Sequence, residues 1–446
     1  MIRYRFTFII SLIGLSSATF ITAAQSVYSL HECIIRAMDI SPEIQSKKIA
    51  GYESVIALSQ QKNTYIPSLS ISNQHNISTG RVLDPTTYQF LTNRTVYDMS
   101  AAIGGTMTLF SGFERPQSIK KAKLNLQSAL LETEKTKNNL ALNVTALFLN
   151  IVLDKESIAI CENRISILEE QEKVICKKVE YKVATHGDLL NIQADITNAK
   201  VELSSALNSL NLHKVAMCEQ LAIEDWEKFD ISTENEDYHT IEPRIWSESD
   251  VVASAYSLPQ IRQGKLAIDI AKRDVSIAKS SYWPTVNLNA GYGSTFSNAR
   301  TKTGGETYNF NDQFRDNMSS YVTFSLNIPI LSAISVSNTV KQKKIACNRA
   351  EYELEQARLE LGKEVRQAIV NANAAYEKYS LLVTNVEKCR EALRQTSMKY
   401  DAGSATYYDY QIAVGNLFQA EAQQLQSKYE YIFRTKIISF YSGEPL

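Results

Sequence analysis

The chain has 446 residues, 44% of them hydrophobic, which is length enough for two or three ordinary domains with a sizeable core. Lys plus Arg number 47 against 48 Asp plus Glu, so there is neither a basic field for nucleic acid nor an acidic tail. The six cysteines (Cys33, Cys161, Cys176, Cys218, Cys347, Cys389) form no C-x-x-C pair for zinc or redox work and read as small buried hydrophobes.

At the N-terminus, Arg3 and Arg5 precede an apolar stretch from Phe6 to Phe20 and the small residues Thr22-Ala23-Ala24. Residues 1–24 therefore read as an export signal, with the mature chain starting near Gln25. The competing reading, a membrane anchor, needs an apolar run of about 20 residues, longer than this one. Cys33 lies well past Gln25, so it is not placed as a lipid-modified first residue. No later segment approaches an uninterrupted apolar run of spanning length, so a membrane role has to use strands.

The rest of the chain is written twice. Core positions at 4,3 spacing run Leu140, Val144, Leu147, Ile151, Asp154, Ile158, Cys161, Ile165, Leu168, and an offset of 221 (361 less 140) gives Leu361, Val365, Ala368, Ala372, Ala375, Tyr379, Leu382, Val386, Cys389. That spacing marks a coiled-coil seam in each copy. The first copy, 25–223, opens a helix at Pro42 and ends it at Tyr65-Ile66-Pro67, since proline disfavours helical geometry in the residue before it. Strands over 68–79 and 96–110 follow, then a long helix over 116–183 of roughly 100 Å and a return helix over 188–223. A polar, acid-rich joint over 224–246 resembles a surface insertion. The second copy, 247–446, repeats the order: Pro259, the junction Tyr282-Trp283-Pro284, strands over 285–297 and 317–329, a long helix over 332–401 and a return helix over 406–440.

Each strand pair has one apolar face. Tyr97, Met99, Ala101, Ile103, Met107 and Leu109 alternate with small or polar residues, as do Val286, Leu288, Ala290, Tyr292 and then Val322, Phe324, Leu326, Ile328. Strands of this length suit a tilted bilayer crossing, although amphipathic strands on a soluble core share the periodicity. The long polar loops 80–95 and 298–316, with aromatics at the strand ends (Tyr65, Phe110, Phe113, Tyr282, Trp283), favour the membrane.

The junctions Tyr65-Ile66-Pro67 and Tyr282-Trp283-Pro284, the segment Leu109-Phe110-Ser111-Gly112-Phe113, and Tyr400-Asp401-Ala402-Gly403 with Tyr408-Asp409 resemble the TolC-like outer membrane efflux proteins. The resemblance covers essentially the whole mature sequence. It implies an α+β membrane protein of the Gram-negative outer membrane: a homotrimer whose chains each give four strands to one shared twelve-stranded barrel and their helices to a periplasmic tunnel. Elementary physics agrees, because four strands cannot close a barrel and open edges are not tolerated in lipid. The resemblance also implies a passive exit duct for small toxic compounds or polypeptides, served by a periplasmic adaptor and an inner-membrane pump, with no cofactor.

The helix turns are expected to form the inner tips that touch the adaptor, through Lys182 and Val183 in copy one and Ala402 and Gly403 in copy two. Gly403 fills the family's glycine position, but its counterpart is Lys182, and Gly187 lies five residues further on. Either the first tip bends differently or its adaptor contact is altered. Asp188 and Asp409 fall where the family places its constriction, and each is also placed to cap its returning helix. A second family aspartate is replaced by Ile412. A periplasmic coiled-coil scaffold would explain the heptads but not the strands. A secreted enzyme is poorly supported: His31, His75, His186, His213 and His239 form no ligand spacing, no nucleophile motif is visible, and His186 reads as an exposed turn residue.

Overall fold

A computed structural model describes residues 26–83, 90–233, 241–302, 306, 308–331 and 333–444. The export signal expected over 1–24 lies outside the described residues. In chain order the elements are β1 (Ser26–Tyr28), α1 (Leu30–Ile40), α2 (Pro42–Asn63), β2 (Ser68–Leu83), β3 (Phe90–Ser111), α3 (Glu114–Glu180), α4 (His186–Leu221) and β4 (Phe229–Ile231). The second half gives α5 (Glu248–Ala255), α6 (Pro259–Ser280), β5 (Thr285–Ser297), α7 (Phe310–Asp316), β6 (Ser319–Asn327), α8 (Ala333–Asp401) and α9 (Tyr407–Ser442). Among the described residues no helix is long and apolar enough to cross a membrane.

Most heptad positions are buried where the 4,3 spacing puts them, with Leu147, Ile158, Tyr379, Leu382 and Cys389 partly so. Val144, Ile151, Cys161 and Leu168 are buried in α3, and Leu361, Val365, Ala372 and Val386 in α8. Asp154, the one polar residue of the seam, is 9% exposed and meets His213 Nδ1 of α4 at 2.5 Å. Burial pushes its carboxyl above the ordinary range, and the bond to His213 opposes that rise.

Packing divides the chain into two compact units that cut across the two sequence copies. One takes the described residues up to Ala37 with Val144–Ile241 and Cys389–Leu425. Part of its core joins Ile165, Leu168 and Ile175 of α3, Ile192, Ile196 and Ala199 of α4, and Tyr407, Tyr410 and Val414 of α9, so both copies contribute. The other unit takes Met38–Asn143, Glu242–Lys388 and the segment from Gln426. Its helical core joins Val251 and Ala255 of α5, Ile261 of α6, Leu361 and Val365 of α8, and Ile438 of α9. It also contains an antiparallel sheet in the order β2-β3-β5-β6.

Several boundaries differ from those read off the sequence. The first hairpin reaches Leu83 and restarts at Phe90, so most of the expected loop 80–95 is strand. Ladder bonding continues where apolar alternation stops, with the Thr79 and Thr95 hydroxyls 3.4 Å apart across the pair. The second loop contains α7, and β6 ends at Asn327, two residues before Pro329, which has no N–H to give a ladder. The long helix expected to Val183 stops at Glu180, so Lys182 and Val183 belong to the turn. The joint 224–246 is more than a surface insertion. Its Phe229, Asp230 and Ile231 pair in parallel with Ser26, Val27 and Tyr28, and Phe229 is fully buried against the Tyr28 ring at 5.8 Å. No disulfide forms among the described residues, and the cysteines are not uniformly core: Cys33, Cys161 and Cys218 are buried, Cys347 and Cys389 partly so, and Cys176 is exposed because it points off the seam of α3.

Candidate functional site: the sheet, its junctions and the helix turns

The register gathers the apolar residues of the four strands on one face. Leu69, Gly105, Ala290 and Val322 form one rung, and Met107, Leu288 and Phe324 another. The opposite face carries Ser68, Thr106, Asn289 and Thr323 in one rung, the first two hydroxyls 2.7 Å apart. A bulge between Thr108 and Phe110 brings Phe110 opposite Val286 at the end of the sheet. Exposed Leu69, Ile71 and Ile77 on β2, and Val322, Phe324 and Leu326 on β6, leave both the apolar face and the two edge strands uncovered in one chain.

The helix-to-strand junctions lie directly before the strands: Pro67 precedes β2 and Pro284 precedes β5. Tyr65 is half-exposed beneath the Arg115 guanidinium, 5.2 Å from its ring, and Arg115 also donates to the Thr108 carbonyl at 2.5 Å. Tyr282 is half-exposed, and its neighbour Trp283 meets Phe113 edge-on at 6.4 Å. Gly112 is the pivot. Its φ is +62°, and a Cβ there would lie 2.2 Å from the Ser280 carbonyl oxygen and 2.8 Å from Trp283 Cβ. Only glycine accepts both that angle and that approach.

The two helix turns have the same backbone. Lys182 takes φ +57° and Gly403 φ +72°. Lys182 N–H donates to the Val179 carbonyl at 2.9 Å and Val183 N–H to the Lys178 carbonyl at 2.8 Å; Gly403 N–H donates to Tyr400 at 3.1 Å and Ser404 N–H to Lys399 at 2.8 Å. This is the Schellman pattern twice over. The possibility that the first tip bends differently is thus removed: lysine occupies the glycine conformation, and Gly187 sits inside the first turn of α4.

Each aspartate closes a capping box. Thr185 N–H donates to Asp188 Oδ2 at 2.9 Å and Asp188 N–H to the Thr185 hydroxyl at 3.2 Å; Thr406 and Asp409 repeat this at 2.9 and 3.2 Å. The Thr406 hydroxyl, then its N–H, hold the Asp409 carboxyl below its ordinary range. Asp409 is exposed and Asp188 partly so, which leaves outward oxygens at both. Val183, Lys182, Ala402 and Gly403 are exposed at the apices, as is His186.

Several contacts here have no sequence motif. Asp195 accepts from the Tyr407 hydroxyl at 3.2 Å and from Gln411 Nε2 at 2.7 Å, joining α4 to α9. The Lys178 ammonium lies 3.9 Å from the Tyr400 ring centroid, and Tyr400 stacks on Tyr410 and meets Tyr407 edge-on. The usable signal was the seven-residue step from Asp188 to Asp195, two helical turns along one face. Burial, then the Asp195 charge, push the Tyr407 hydroxyl far above the usual tyrosine value. Among the described residues no group of three or more His, Cys, Asp or Glu is placed to hold a metal.

Residues 255–434 match the outer membrane efflux protein family. The chain is 21% identical to outer membrane protein TolC of Vibrio cholerae serotype O1, over 93% of this chain and 91% of that protein. It is 20% identical to TolC of Escherichia coli (94% and 83% covered) and 20% to the alkaline protease secretion protein AprF of Pseudomonas aeruginosa (73% and 66% covered). The fold superposes on CusC with a TM-score of 0.80 at 14% identity, covering 94% of this chain and 92% of that one. VceC of Vibrio cholerae superposes with 0.77 at 13% identity, covering 93% and 96%. The chain is thus similar along most of its length to TolC outer membrane proteins, and it shares the fold of CusC and VceC.

Proposed function

We propose that three copies of this chain form a passive exit duct in the outer membrane, carrying small molecules or polypeptides delivered by a periplasmic adaptor and an inner-membrane pump. The observation that carries the reading is the four-stranded sheet with one apolar face and two uncovered edges. Unpaired edge groups cost several kcal/mol each in lipid, so the edges of β2 and β6 have to meet strands of other copies. The helices support the same assembly. Ile334, Ile345, Tyr352, Leu359, Val370 and Leu381 of α8 are exposed. Steps of 7 or 11 residues return to within about 20° of one helix face, so these side chains form a stripe that a second copy can cover.

Within this reading the junction residues Tyr65, Pro67, Tyr282 and Pro284 lie at the membrane boundary, and Lys182, Val183, Ala402 and Gly403 meet the adaptor. Asp188 and Asp409 line the constriction while capping their helices, the two roles using different oxygens of each carboxylate. AprF is named for the secretion of a protease, which supports polypeptides among the possible cargo.

The assembly is tested by isolating outer membranes: heat-modifiable trimers are expected, and a purely soluble periplasmic protein would sink the reading. The constriction is tested with Asp409→Asn, which keeps a side-chain oxygen for the Thr406 N–H and removes the charge. Block of single-channel current by multivalent cations is expected to weaken. Unchanged block would take Asp409 out of the constriction.

A further inference from the structure

The turn between α3 and α4 carries two cations that its counterpart lacks. At the 221 offset, Lys177 and Lys182 stand where the second turn has Met398 and Gly403. Between 173 and 188 the other formal charges match across the copies: Lys173 with Arg394, Lys178 with Lys399, Glu180 with Asp401, and Asp188 with Asp409. Lys177 and Lys182 are exposed, and neither ammonium has an ion-pair partner among the described residues. Asp188 is committed to the capping box, and Lys178 to the Tyr400 ring.

The apices differ in shape as well as charge. Tyr181 and Val183, 76% and 77% exposed, flank Lys182, whereas Ala402 and Ser404 flank Gly403. One apex presents a cation between two apolar side chains and the other a small, flat surface. The Lys182 side chain is not there for the turn, because Gly403 makes the same turn with no side chain and with open space where a Cβ would stand.

We propose that the α3–α4 turn selects a helical-hairpin partner bearing a carboxylate at its tip, which pairs with Lys182 while apolar partner residues cover Tyr181 and Val183. The proposal rests on the reading that the turns dock a periplasmic adaptor, and it adds the chemistry of the docking residue. The unmatched positive charge decides the sign of the partner. Covering Tyr181 and Val183 removes water around the pair, which strengthens its attraction over that of an open surface pair and rejects a like-charged tip.

The test uses the full-length protein in detergent and three synthetic antiparallel helical hairpins that differ at one tip residue: Glu, Gln or Lys. The Glu hairpin is expected to bind about 3- to 5-fold tighter than the Gln hairpin, at or above the upper end for an exposed ion pair, and the Lys hairpin more weakly than either. The preference is expected to fade with added salt, vanish in Lys182→Gln, survive in Lys182→Arg and reverse toward the Lys hairpin in Lys182→Glu. Equal affinity of the Glu and Gln hairpins for the wild type, or a preference that persists in Lys182→Gln, overturns the proposal. Gly403→Trp separates the two levels. Hairpins that bind the wild type without discrimination and fail on Gly403→Trp keep turn docking and sink the carboxylate preference; hairpins that bind neither protein sink both.

Discussion

Single residues fix the two places where the chain reverses or changes structure. At Gly112 an added methyl meets backbone oxygen at 2.2 Å in a conformation that L-residues avoid. Gly112→Ala is expected to cost about 2–5 kcal/mol, from left-handed strain plus overpacking against Ser280 and Trp283. The yield of heat-resistant trimer is expected to fall; a yield equal to wild type would show that the junction gives way cheaply. At the turns the substitution runs the other way. Lys182→Gly relieves left-handed strain of about 1–2 kcal/mol, offset by about 0.5–1 kcal/mol of extra freedom in the unfolded chain. Slower hydrogen exchange at residues 182–184 is expected, and faster exchange at 403–405 in Gly403→Ala. The opposite pattern would mean that side-chain contacts, not backbone angle, hold these turns. The duplication offset already equated Lys182 with Gly403. The nearby Gly187 is not the turn residue, because a strain of this size is small beside the packing of the helices that over-determines the turn. Ala222 and Gly443 repeat the lesson 221 residues apart, both left-handed at the ends of their return helices with φ +49° and +82°.

At the scale of elements, the seams were legible because a 3.5-residue repeat has few explanations other than helix packing, and the one polar seam residue marked a real partner. Asp154 is buried and half of its answer is His213, whose side chain keeps 35% of its exposure. His213→Ala therefore leaves a buried carboxylate without its bond and is expected to cost about 1–3 kcal/mol at neutral pH. Because burial raises the folded-state value of Asp154, its charged form opposes folding. The penalty is present above that raised value and is relieved as pH falls through it toward the unfolded carboxylate value. Thermal unfolding of the detergent-solubilised variant is expected to fall below wild type at neutral pH and to converge on it in acid; a constant gap would remove Asp154 from the explanation. Other elements were less legible. Strand ends were lost where polar residues kept the ladder without alternation, as at Thr79 and Thr95. The three-residue β4 was hidden inside an acidic segment, since only Phe229 and Ile231 signal it and their partner strand lies some two hundred residues upstream.

For the whole molecule, the sequence copies and the packed units are different divisions: the core around Ile175 and Ile192 needs Tyr407 and Tyr410 from the other copy. The first copy therefore cannot complete that core by itself, whereas the core around Leu361 and Ile438 draws on the second copy alone. The same incompleteness recurs in the sheet, and it makes the membrane reading testable by facing. Phe324 and Thr323 are neighbours on the edge strand β6, both exposed in one chain and on opposite faces, Phe324 in the rung with Leu288 and Thr323 in the rung with Asn289. If the apolar face meets lipid, Phe324→Lys places a charge in hydrocarbon at a cost of about 2–4 kcal/mol near the midplane, felt three times in a trimer. Assembly in the outer membrane is expected to fail. Thr323→Lys then faces the water-filled interior, so trimers are expected to form at wild-type yield with conductance shifted toward anions. Trimers from both variants, or from Phe324→Lys alone, would mean that lipid covers the other face or neither.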